Sequence, residues 1–125
     1  MKILSENAET DIEILANSYR FALVTEQKLA IDVANDEKEI NIYKAVHLAK
    51  AYEDGIIDGK NVKSRDMQEA NLFITDADFQ NRLVELSAIK AKLSMAQIEV
   101  KYQITLISLT KAALYSLSFS ALGKE

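Results

Sequence analysis

The chain has 125 residues, of which 49% are hydrophobic and 27% charged, with a net charge of −4 and no cysteine. That length suits one domain, 1–125, since two independent cores would each sit near the marginal size limit, and the apolar content excludes compositional disorder. Without cysteine there is no disulfide framework, no thiolate nucleophile and no thiolate metal site.

Proline is absent and glycine occurs only at 55, 59 and 123, so helices can run with few interruptions. The expected fold class is all-α: a helical hairpin or bundle with a long, coiled-coil-like C-terminal helix that forms oligomers. Thr10-Asp11-Ile12-Glu13 has the form of a capping box, in which hydroxyl and carboxylate each satisfy a backbone N–H, and predicts a helix start. Ile12, Leu15, Ala16, Tyr19, Ala22, Leu23 and Ala30 then recur at helical spacing. Asn35-Asp36, with Glu39 three residues on, offers a second start, and one helix through both is the alternative. Ile40, Tyr43, His47, Leu48 and Ala51 form a stripe that ends before Gly55 and closes an N-terminal helical segment, 1–54.

Residues 55–64 read as a basic connector, because both internal glycines and the pairs Asp54-Gly55 and Asp58-Gly59 fall there and favour a tight turn or short hairpin. Residues 65–122 then hold a short helix capped by Ser64 and ending near Phe73, followed by a long one capped within Thr75–Asp78 and running from Asp76 to about Leu122. Steps of seven along the long helix give Phe79, Leu86, Leu93, Val100, Ile107, Leu114 and Ala121. Such a column drives helical supercoiling, and Leu86, Leu93, Val100, Ile107 and Leu114 are assigned to an oligomer interface. The companion column of Arg82, Ile89, Ala96, Gln103, Thr110 and Leu117 mixes polar with apolar residues, which sets register. Between 102 and 122 only Lys111 is charged, as expected of burial in a core or oligomer. Gln103, Lys111 and six Ser/Thr in that window argue against a membrane span.

Little in the chain points to catalysis. His47 is the only histidine, so one chain can build neither a His-Asp-Ser set nor a multi-histidine metal site. It reads as a packing residue on the stripe with Tyr43 and Ala51. Gly55-x-x-x-Gly59-Lys60-Asn61 has the wrong spacing for a phosphate-binding loop and Asn where Mg²⁺ needs a hydroxyl. Asp54, Asp58 and Asp66 do not match a calcium loop. The carboxylates have the spacing of solvated faces, so no metal, no cofactor and no enzymatic activity are expected.

The pointed cluster is Lys60, Asn61, Lys63 and Arg65, three basic residues and an amide beside a helix start, where free backbone N–H groups also favour phosphate. These four are the nucleic-acid-binding candidates, with a solvated connector as the plain alternative. Charge elsewhere is adverse: residues 1–85 hold 10 Lys/Arg against 17 Asp/Glu, and residues 86–125 hold 5 against 2. The N-terminus leads into acidic residues and not into an apolar signal region, so the expected location is cytoplasmic.

The layout of a charged first helix, a Gly59-Lys60-Asn61 segment with Arg65 after it, and a long Leu-rich helix resembles a group of small phage-encoded helical proteins over roughly residues 40–118. More distantly it resembles the recombination mediator of T4-type phages. The resemblance implies a homo-oligomer in the host cytoplasm, assembled through the last helix, that contacts single-stranded DNA through Lys60, Asn61, Lys63 and Arg65 and helps a recombinase load. Two other readings stand beside it: a phage factor that binds another protein complex, such as an inhibitor of host defence, and a small structural or assembly protein.

Overall fold

A computed structural model of the chain describes residues 2–123, with side chains described over residues 10–117. The fold is all-α. Among the described residues there are three helices, α1 (Lys2–Glu53), α2 (Val62–Ile74) and α3 (Ala77–Gly123), and no strand.

Helix α1 runs through both positions where the sequence suggested a start. Thr10 lies inside it, because residues 2–9 contain good helix formers and no glycine or proline, so the helix extends past the local capping signal. Asn35-Asp36 is likewise helical. A capping residue in mid-helix costs only tenths of a kcal/mol, whereas a break would forfeit the burial of Val33 and Ile40 on either side, worth about 1.5–3 kcal/mol each.

The stop at Gly55 has a complete local cause. Gly55 takes φ +75°, its N–H donates to Tyr52 O, and the N–H of Ile56 donates to Ala51 O at 2.9 Å. This paired closure satisfies carbonyls that the helix end would otherwise orphan, and it needs a left-handed residue that glycine supplies without a Cβ penalty. Ile57 then turns inward and is 2% exposed, with Ala51 at 3%.

Contacts divide the chain into two compact units: Ala30–Ala91, and the residues up to Leu29 together with those from Lys92 onward. In the first of these α1 and α3 run antiparallel, since Tyr43 meets Asp76 and Phe79 whereas Glu37, earlier in α1, meets Lys90, later in α3. Val33, Ile40, Ala51, Ile57, Phe73, Phe79 and Leu86 are its buried apolar residues. The other unit consists of two helical segments alone, and buries Ala22, Ala96, Val100 and the amide of Gln103. No helix among the described residues is long and apolar enough to cross a membrane.

Candidate functional site

The connector is organised by its own polar side chains. Asp58 Oδ1 accepts the Lys60 N–H at 3.2 Å, and the Asp58 N–H donates to Gln68 Oε1 at 3.2 Å, which ties the loop back to α2. Gly59 takes φ +64°. Helix α2 is then capped by Asn61, whose Oδ1 accepts the Ser64 N–H at 2.7 Å while its own backbone is extended. Ser64, expected as the cap, lies one turn inside. Asn61 wins because its carbonyl oxygen reaches the N–H three residues on, which leaves Val62 and Lys63 in the first turn.

The four nucleic-acid candidates are therefore brought together at one helix start, with Lys60, Asn61 and Lys63 exposed and Arg65 half-buried. They share it with carboxylates. Asp54, Asp58, Asp66 and Glu69 lie in the same stretch, and Glu69 accepts the Tyr52 hydroxyl at 2.7 Å, a bond that pushes the Tyr52 phenol up.

A second cluster forms around Tyr43. Its ring stacks on His47 with centroids 3.9 Å apart and lies 6.0 Å from Phe79, which in turn packs on Phe73 at 4.6 Å. Arg82 sits 4.9 Å over the Tyr43 ring and Lys44 sits 5.8 Å from the Phe73 centroid, so the negative ring faces meet cations. Asp76 joins three elements: its N–H donates to Phe73 O of α2 at 3.3 Å, Oδ1 caps α3 by accepting the Phe79 N–H at 3.0 Å, and Oδ2 accepts the Tyr43 hydroxyl of α1 at 2.6 Å. Donation to Asp76, with burial adding to it, pushes the Tyr43 phenol up to about 12. The same bond and the Phe79 N–H hold Asp76 below the ordinary carboxylate range. Both shifts move away from neutral pH, opposite to what a general acid or base needs. His47 Nδ1 lies 2.9 Å from Tyr43 O, one turn back, and donates to it. Among the described residues no group of three or more His, Asp or Glu could hold a metal.

The seven-residue column packs within the single chain. Phe79, Leu86 and Val100 are buried, and Leu93, Ile107 and Leu114 are half-buried; Ala121 lies outside the described side chains. The larger exposed apolar surface lies elsewhere on the same helix. Met95, Ile98, Tyr102 and Leu109 are 70%, 66%, 54% and 62% exposed. Each stands two residues beyond a buried or half-buried residue, which places it about 200° around the helix on the opposite face. Ile14, Phe21 and Val24 form an equivalent exposed stripe on α1. Sequence reasoning missed both stripes, although their steps of three, four and seven residues were legible, because the unbroken column accounted for the apolar content first.

The chain matches no known protein family, no characterised protein and no solved structure.

Proposed function

We propose that this chain is a non-catalytic accessory protein that works by assembling with further copies of itself and with partners through the outward faces of its long helices. One observation carries the reading: among the described residues ten hydrophobic side chains are buried, whereas twenty-one large ones are exposed. Exposed apolar residues scattered singly need no explanation, but stripes at helical spacing are the surfaces that helices bury against other helices. The test is light-scattering mass across a dilution series. A mass of two or more chains at micromolar concentration is expected, and a 14.0 kDa species throughout would overturn the reading.

Within that assembly we assign the role the phage resemblance implies, as a recombination accessory that contacts single-stranded DNA through Lys60, Asn61, Lys63 and Arg65 and a recombinase through its helical faces. The exposure of Lys60 and Lys63 on or beside the first turn of α2 supports it. The interspersed carboxylates make each copy a weak anion site, so useful affinity requires several copies to engage one strand. Salt-insensitive capture of a single protein, with no strand binding at low salt, would move the role to a protein-binding factor or a structural component.

A further inference from the structure

We infer that the outward stripe of α3 is a two-fold contact with a second copy of this chain, in which the two α3 helices run antiparallel with Met95 against the second copy's Ile98. The inference rests on the assembly reading and adds its partner, face and direction. The stripe steps by three, four and seven residues, as a helix-pairing seam does, and its members are more than half exposed within one chain. The charges that flank it decide what covers it.

Lys92 and Glu99 lie on one flank of the stripe, one heptad apart, and both are exposed. In an antiparallel pair the equivalent flanks of the two helices face each other. With Met95 opposite Ile98, Lys92 of each copy meets Glu99 of the other, so two opposite-charge pairs form from one patch. Glu99 Oε1 already accepts Gln103 Nε2 at 2.9 Å, which holds the carboxylate in place and leaves Oε2 for the lysine. The same register sets Tyr102, the largest side chain of the stripe, against Ala91, a small exposed one, as interdigitation requires.

Other arrangements are penalised by the same residues. Sliding one copy by a heptad sets Glu99 against Glu99 in one direction and Lys92 against Lys92 in the other. A parallel, in-register pair brings no lysine to Glu99 at all. A patch that is complementary to itself in charge and in side-chain size, in one register, is the signature of an isologous contact and not of a generic greasy surface.

Charge exchange tests this. Lys92→Glu and Glu99→Lys, each alone, put like charges at both ends of the contact and are expected to raise the dissociation constant about ten-fold, read by mass on dilution. Mixing the two single variants, or combining both changes in one chain, restores opposite pairs and native-like affinity. Direction is read separately. The chain has no cysteine, so Lys111→Cys places one spin label per copy, and the antiparallel pair sets the labels about 44 Å apart along the axis, against about 10 Å side to side for a parallel one. Unchanged helicity of every variant on circular dichroism confirms that folding is intact. A native chain that is monomeric at every concentration defeats the assembly reading itself. A native oligomer whose mass ignores both single charge changes, or whose labels lie close together, defeats this contact and leaves assembly standing.

Discussion

Asp76 shows how much one side chain can organise. Its two carboxylate oxygens cap α3 and hold the Tyr43 hydroxyl of α1, so the turn between α2 and α3 and the packing of α1 depend on one ionised group. The carboxyl sits below its ordinary 3.8 when folded, so the stability it contributes is fully present above that value and is lost as pH falls through the lowered one. The phenol, raised from 10.0 to about 12, contributes below pH 10 and loses that contribution as pH climbs towards 12. Tyr43→Phe is accordingly expected to lower the urea midpoint at pH 7, and the gap from the native protein should narrow below pH 3.8 and close once pH has fallen through the lowered value, where Asp76 is protonated in both. A gap that persists unchanged at pH 2 would mean that the hydroxyl bond is not its source. A cap within Thr75–Asp78 was legible in the sequence, but not that Asp76 supplies it while Thr75 closes α2. Nor was the bond of Asp76 to Tyr43, since the two lie 33 residues apart and no local pattern announces a tertiary hydrogen bond.

At the scale of the element, the informative object is α3, which is apolar on two nearly opposite faces. The inward column of Leu86, Val100 and their neighbours stood out in the sequence because seven-residue steps find it without a failure. Its assignment between copies or within one chain was not legible, since periodicity identifies a seam and says nothing about what lies across it. The two faces make separable predictions. Ile107→Asp or Leu114→Asp places a charge on the half-buried inward face and should cost roughly 3 kcal/mol of stability, seen as an earlier unfolding transition in urea. Ile98→Ser on the outward face should change the unfolding of the dilute single chain by no more than about 0.5 kcal/mol while dissociating the oligomer. Equal unfolding of both variants under dilute conditions would mean that the outward stripe is also internal. The end of α1 was legible for a different reason: Gly55 supplies the left-handed backbone that closes the helix. The sequence sets the cap of α2 at Ser64, whereas the helix starts earlier, at Val62, because Asn61 supplies the cap. The start of α1 was not legible, because helix formers in residues 2–9 carry the helix past the capping signal. Its continuation through Asn35-Asp36 stood only as the alternative, because a local capping signal says nothing of the burial of Val33 and Ile40 that outweighs it.

For the whole molecule, charge decides the nucleic-acid question. Changing Lys60, Lys63 and Arg65 together to Ala should weaken single-strand binding and flatten its dependence on salt, because fewer counterions are released per chain. Helicity and assembled mass should stay as they are, since Lys60 and Lys63 are exposed, Arg65 is only half-buried, and alanine is the best helix former. A triple variant with the native affinity and salt slope would mean that the segment serves only as a connector.

The division of the chain also orders events in time. The unit formed by Ala30–Ala91 is continuous in sequence, whereas the other is assembled from the two flanking stretches. If residues 30–91 were still unfolded, bringing those stretches together would carry a loop-closure cost on the order of 4 kcal/mol. Once Glu37 and Lys90 are held side by side, most of that cost has already been met and the outer segments can zip from an existing nucleus. On the ribosome, residues up to Leu29 must therefore wait, with Ala22 uncovered, until residues from Lys92 onward have emerged. During synthesis the stretch up to Leu29 is the part most exposed to wrong partners, and the order of folding, more than its final stability, governs how long that exposure lasts.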